Sequence, residues 1–330
     1  MQQNTGTGDR VTGQLFPRAS RLGFGCASLG SRVGRREGLN ALAAAFEHGV
    51  NWFDPAPSYG DGDAESIFVH FAKSRRKDIH ICTKCGIEPA KLSTLRRTIM
   101  PLARTFVTIA PQMRELAARS RRSPNVLSIS AALIRDSLDR SLERLGTSYI
   151  DVYALHDPSP GDIARDDVQR QLEVTLTSGK ARAIGIAGSV EAIIEARRVG
   201  LPVSLVQTAD RPFEGAIERL RAATRPDYPV MLSTHSIFGR TNLIRLLSKQ
   251  LGSKRRLRDT LASGGYVTRL DEAVHAFLLD CALVRNPNGV VLLSMFSRHH
   301  LLQNVARMDM ADMNPIAKEL RSHLNAASAG

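Results

Sequence analysis

The feature that most constrains this chain is a recurring alternation of short apolar runs with segments of helical periodicity. Residues 22–26, 50–54, 79–84, 149–156, 183–187, 203–207, 230–234 and 290–295 are four to eight residues long and rich in β-branched or aromatic side chains, as strands are. Residues 37–48, 64–74, 132–145, 166–178, 190–198, 213–222, 270–283 and 299–308 carry the helical pattern between and after them. Gly49 and Gly146 stand where helices should stop. Strands alternating with helices of this length imply a parallel sheet. Eight such units predict a single-domain α/β fold, a (β/α)8 TIM barrel.

The competing fold is an open doubly wound sheet. It would carry a G-x-G-x-x-G turn that opens a helix directly after a strand. Residues 21–30 contain Gly23, Gly25 and Gly30 at the wrong spacing, with no helix opening at once. These glycines read instead as backbone in close approach beside a pocket. The organisation expected is a flexible segment over 1–19, a barrel over 20–308 and a C-terminal extension over 309–330. Long insertions at 86–130 and 238–269 follow strand ends, where barrel loops surround the active site and set substrate choice.

Composition excludes more than it assigns. The longest apolar stretches fall well short of the ~20 residues that span a bilayer. The N-terminus lacks an apolar export segment, so a soluble cytoplasmic protein without membrane contact is expected. Four cysteines are too few to staple the chain; Cys82 and Cys85 lie in a strand-like run whose alternation sends them to opposite faces, so buried thiols are expected. The net charge of +13 comes from basic clusters at 75–77, 96–97, 119–122 and 254–258, scattered and without interleaved aromatics. That pattern supports weak attraction to anionic surfaces and no specific nucleic-acid partner.

Three strand-like runs end in ionisable residues: Asp54, Lys84 and His156, with Tyr59 five residues beyond Asp54. Singly, each has a structural explanation, as a turn cap, a snorkelling lysine or a core histidine. Together, at one end of a barrel, they suit proton transfer to a carbonyl that receives hydride. A tyrosine is a neutral acid; an adjacent ammonium should lower its pKa, and a carboxylate should hold that ammonium in place. A histidine would donate to the carbonyl oxygen. Schiff-base chemistry on Lys84 is the rival, but it leaves Asp54 and Tyr59 unexplained. No HxH, HExxH, G-x-S-x-G or P-loop occurs, and no metal is expected.

The stretches 22–30, 49–60, 81–84, 135–156 and 179–186 together resemble the aldo-keto reductase superfamily over residues 20–308. The resemblance implies a nicotinamide cofactor across the strand ends and a catalytic tetrad at Asp54, Tyr59, Lys84 and His156. It also implies cofactor contacts at Gly25, Asp54, Gln207, His235, Ser236, Phe238, Ser297, Arg298 and Asn304. The chain departs from the family where Ser-Asn would hold the carboxamide, having Ala187-Gly188. His235 replaces the stacking tyrosine, and Phe296 stands where a phosphate-binding arginine is usual, its ring free to cover adenine.

The function expected is reversible reduction of an aldehyde or ketone to an alcohol with NADP(H), modestly favoured, or NAD(H). A noncatalytic nucleotide-sensing or scaffold protein is the alternative. A mouth collared by Trp52, Phe53 and Tyr59 would admit a small carbonyl or alcohol substrate, in a monomer or weak homo-oligomer.

Overall fold

The structure, a computed structural model, describes residues 16–88, 125–212, 214–223, 230–239, 243–253, 259, 262, 266 and 269–310. The basic clusters at 96–97, 119–122 and 254–258, most of both insertions, and residues 1–15 and 311–330 lie outside the described residues.

Strands β1 (Leu22–Gly25), β2 (Trp52–Asp54), β3 (His80–Cys85), β4 (Ile150–His156), β5 (Ala181–Ala187), β6 (Val203–Ala209), β7 (Met231–His235) and β8 (Val290–Leu293) form a closed barrel in sequence order. Every neighbouring pair is parallel, and β8 pairs back onto β1. Outside them lie α1 (Arg35–Glu47), α2 (Ala64–Ala72), α3 (Ala131–Leu145), the short α4 (Pro160–Ile163), α5 (Asp166–Thr177), α6 (Val190–Arg198), α7 (Ala216–Ala223), α8 (Leu243–Ser253), α9 (Leu270–Arg285) and α10 (Arg298–Met310). Among the described residues no helix is long and apolar enough to cross a membrane.

Strand alternation divides the core in two. One set of side chains, including Trp52, Cys82, Val152, Ala183, Leu205, Met231 and Leu292, fills the barrel interior. The other, including Phe24, Phe53, Ile81, Tyr153, Ile184 and Val291, packs under the helices. Cys82 and Cys85 therefore fall in different cores, as their spacing predicts, and both are buried free thiols. Phe16 meets Trp52 edge-on at 5.4 Å and packs with the interior set, so ordered packing begins ahead of residue 20.

Gly23 belongs to this packing and not to a pocket rim, a correction to the sequence reading. A Cβ there would come within 2.5 Å of Leu292 Cδ2 and 2.9 Å of Trp52 Cδ1.

Helix ends follow local chemistry. Ser130 caps α3 by accepting from the Leu133 amide, and Gly146 closes it in the left-handed region. Buried acids then tie the helices to the barrel. Glu65 on α2 accepts from Thr83 Oγ1 and Arg144 Nε, each at 2.7 Å. Asp151 accepts from the Ile81 amide at 2.9 Å and pairs with Arg76 at 2.8 Å. Arg76 also lies 3.8 Å from the centre of the Tyr149 ring, so this member of the basic cluster at 75–77 serves the fold. Asp280 on α9 joins Arg307 on α10 to the Tyr266 hydroxyl, anchoring the end of the second insertion.

Candidate active site

The parity that fills the barrel with apolar groups brings polar ones inward at its C-terminal end. Asp54 lies two residues beyond Trp52, Lys84 two beyond Cys82, and Gln207 two beyond Leu205, each on the same face. His156 ends β4 and His235 ends β7. Trp52 is consequently at the barrel floor, and Phe53 points outward against Phe68 and Phe71. The expectation that both collar the mouth is thus wrong for both; of that trio only Tyr59 stands there.

Tyr59 begins a short 3-10 turn, Tyr59–Gly62, directly after β2. Gly60 has φ 61°, and a Cβ there would fall 1.6 Å from the Leu29 carbonyl oxygen, so only glycine lets the β1–α1 loop clamp this turn. The clamp turns the tyrosine over the barrel axis. Lys84 Nζ donates to Asp54 Oδ1 at 2.6 Å and to the Tyr59 hydroxyl at 3.2 Å. The Tyr59 and His156 rings meet edge-on at 5.7 Å. All four residues are thus brought together.

Electrostatics depart from expectation at the tyrosine. Burial pushes the Tyr59 hydroxyl up to about 12; Lys84 pulls downward and Asp54 upward, but desolvation dominates. The lysine has the expected sign without setting the result. At Lys84 itself, burial opposes the charge, while Asp54 and Tyr59 more than restore it and hold the ammonium protonated. Burial and the Lys84 charge drive His156 down to about 3, and burial drives His235 to about 4 despite Asp54. Both imidazoles are therefore neutral near pH 7.

The remaining residues singled out from sequence are dispersed around this centre. Gln207 Nε2 reaches Asp54 Oδ2 at 3.5 Å, and its Oε1 is buried with no donor. Gly25 registers beside Asp54, with no atom nearer than 3.6 Å to where a Cβ would stand. His235 Nδ1 lies 2.9 Å from Ser236 Oγ, and Phe238 packs on His275 at 4.9 Å. Ser297 and Arg298 are exposed at the head of α10, and Asn304 is half-buried further along it. Phe296 is half-buried, its ring meeting Phe24 edge-on at 4.9 Å. His299 and His300 both face α9, toward Glu272 and His275 respectively, with their rings 5.7 Å apart. No metal-binding group of His, Cys, Asp and Glu occurs among the described residues.

One mouth residue escapes sequence reasoning. Asp157, directly after His156, has φ 50°, and its amide donates to the Ala187 carbonyl at 2.7 Å. Burial raises its carboxyl pKa and Lys84 opposes the rise. The only signal in the sequence is an acid between a strand-end histidine and a proline, which also describes an ordinary turn. Asp61 and Ser236 share this left-handed backbone, so a strained residue accompanies Tyr59, His156 and His235 alike.

A closed parallel barrel bearing a buried Asp–Lys pair, a tyrosine and two neutral imidazoles at its C-terminal mouth has the architecture of a barrel enzyme. The profile of the Aldo/keto reductase family matches residues 21–316, and the chain belongs to that family. It is 28% identical over 187 residues to L-galactose dehydrogenase of Arabidopsis thaliana, covering 54% of this chain and 48% of that protein. Over 203 residues it is 30% identical to aldo-keto reductase yakc of Schizosaccharomyces pombe, whose name carries NADP(+), covering 60% and 51%. The chain thus spans about half the length of the curated relatives it matches.

Among solved structures, the holo form of an aldo-keto reductase from Bacillus halodurans superposes with TM-score 0.61 at 20% identity, covering 92% of each chain. One from Klebsiella pneumoniae, in complex with NADP and acetate, gives 0.62 at 20% identity, covering 88% and 86%. At that identity the likeness is one of fold.

Proposed function

We propose that this chain catalyses the reversible reduction of an aldehyde or ketone to an alcohol, using NADP(H) or NAD(H). The observation that carries the reading is Lys84 Nζ, sealed in the barrel and bridging Asp54 Oδ1 at 2.6 Å and the Tyr59 hydroxyl at 3.2 Å. A cofactor of this class, when bound, supplies or accepts hydride. Tyr59 gives its hydroxyl proton to the developing alkoxide, which is a stronger base than phenolate even with the phenol raised to about 12. Lys84 then faces the phenolate left behind, and Asp54 keeps the ammonium aimed at it. His156, held neutral, directs an N–H toward the carbonyl oxygen and stabilises charge as it grows there. In the alcohol-oxidising direction the same hydroxyl oxygen takes the proton back.

The chain's residues fit such a cofactor at its nicotinamide end. Gln207 Oε1 is a buried acceptor that lacks a donor, which an amide-bearing ring would supply. Gly25, His235, Ser236 and Phe238 would line the way from there toward Ser297, Arg298 and Asn304 on the α10 side. NADP(+) in the name of one relative and NADP in a solved neighbour support the assignment.

Ala187-Gly188 without polar side chains, and Phe296 in place of an arginine, favour the second reading, a noncatalytic nucleotide-sensing or scaffold barrel. Against it, a barrel used only for binding has no need of a buried lysine on a tyrosine hydroxyl. The test is oxidation of NADPH and NADH followed by absorbance, over a panel of aldehydes and ketones. Carbonyl-dependent oxidation is expected, falling roughly 10²–10⁴-fold in Tyr59→Phe while nucleotide binding persists. Binding without turnover in the wild-type chain would support the sensing role.

A further inference from the structure

The ends of β4, β5 and β6 lie side by side, with bare backbone at the middle one. β5 finishes in Ala187 and Gly188, which bring no polar side chain. The Asp157 amide donates to Ala187 at 2.7 Å, and the Gly188 amide donates to the Gln207 carbonyl at 3.0 Å. The three strand ends are thereby stitched together, and only the flanking side chains can bring polar groups to the middle one. Asp157 leans into it from β4: a Cβ on Gly188 would lie 3.3 Å from both Asp157 Cα and Asp157 Oδ1. A larger residue at 188 and the Asp157 carboxylate would compete for one space.

Two acceptors are left waiting on either side. Gln207 Oε1 is buried without a donor, and the Asp157 carboxylate, exposed at the mouth, has no hydrogen bond or ion pair among the described residues. The left-handed backbone that aims Asp157 is one that aspartate, almost alone with asparagine and glycine, adopts readily. A buried acceptor without a donor and an open carboxylate on neighbouring strand ends suit a flat group with paired N–H donors, and a primary carboxamide is such a group.

We propose that Asp157 accepts a hydrogen bond from the carboxamide amino group of the nicotinamide ring, taking the room that Gly188 leaves open and working opposite Gln207. This rests on the cofactor reading above and adds a residue to it. The carboxylate would also face the ring when it is oxidised and positively charged, so Asp157 favours the oxidised cofactor over the reduced one.

The test is equilibrium binding of NADPH or NADH, whichever the wild-type chain holds, against its 3-acetylpyridine analogue, where a methyl group replaces the amino group. The wild-type chain is expected to prefer the carboxamide form by roughly tenfold or more, the worth of a hydrogen bond to a charged acceptor. Asp157→Gly keeps the left-handed backbone without this acceptor and should lower that ratio several-fold, leaving only the part that Gln207 contributes. Asp157→Asn retains a carbonyl acceptor and should fall between, and it serves if the glycine variant does not fold. An unchanged ratio in either folded variant, or no preference in the wild-type chain, overturns the role of Asp157 while leaving the cofactor reading intact. Failure of the wild-type chain to bind either nucleotide at millimolar concentration overturns the cofactor reading itself.

Discussion

Lys84 holds its ammonium nitrogen 2.6 Å from Asp54 Oδ1, with both side chains closed off from solvent. Each charge depends on the other, because an ion left alone inside the barrel has neither water nor counter-charge. Asp54→Asn should therefore cost about 3–5 kcal/mol of stability, and Lys84→Met a similar amount. The double variant removes both charges and should recover much of the loss. Urea denaturation of the four proteins reads this directly. Losses that simply add would show that the two charges do not support one another.

The same lysine should govern the pH dependence of turnover. Burial lifts the Tyr59 hydroxyl to about 12, and Lys84 is the largest influence pulling it back. In Lys84→Met the phenol rises further, so phenolate becomes scarcer. Alcohol oxidation, which needs that phenolate, should lose most of its rate, and its alkaline limb should move to higher pH. Lys84→Arg keeps a charge and should move the limb less. An unchanged limb in Lys84→Met would take the lysine out of proton transfer.

The two neutral imidazoles make stability sensitive to acid. His156 lies at about 3, held down by burial, Lys84 and His235; His235 lies at about 4, held down chiefly by burial. In the unfolded chain both return toward 6.5. Between those values the unfolded state binds protons that the folded state refuses, so stability rises with pH across the window and is lost as pH falls from about 6.5 toward 4. Each site contributes a slope of about 1.4 kcal/mol per pH unit within the window. Denaturation midpoints should therefore drop steeply over that interval. His156→Gln should flatten the drop. A variant as steep as the wild-type chain would mean that His156 is not held neutral.

The barrel was legible because its two signals are local: apolar runs of strand length, and helical segments with Gly49 and Gly146 at their ends. Asp54, Lys84 and His156 were legible as strand-end polar residues, which a packed interior tolerates only at a mouth. The collar failed because alternation was not carried backward from Asp54. If Asp54 faces inward, Phe53 must face the helices, and Trp52 must lie one layer deeper. What the sequence hid depends on contacts between distant segments. The elevated Tyr59 reflects the barrel closed around it, the turn of Phe296 reflects Phe24 nearly the whole chain away, and the reach of Asp157 reflects the empty Gly188 beside it.

Nucleotide preference is the final expectation, and here the fold sharpens the sequence reading. Selecting NADPH over NADH takes a donor at the ribose phosphate, which an arginine fork provides best. Phe296 has no donor to offer there. Arg298 is exposed at the start of α10, where its charge can reach a phosphate, and among the described residues no hydrogen bond or ion pair fixes it. An exposed arginine gives less than a preorganised clamp, so the preference for NADPH should be small. One charged hydrogen bond, at roughly 1.5–3 kcal/mol, sets its ceiling near one to two decades. Trp52 lies at the barrel floor and will not touch the nucleotide, so the titration should follow the emission of the reduced nucleotide itself. Arg298→Ala should weaken NADPH binding and leave NADH binding unchanged, bringing the two affinities together. A wild-type preference beyond about a thousandfold, or one that survives Arg298→Ala, would place phosphate recognition on another residue.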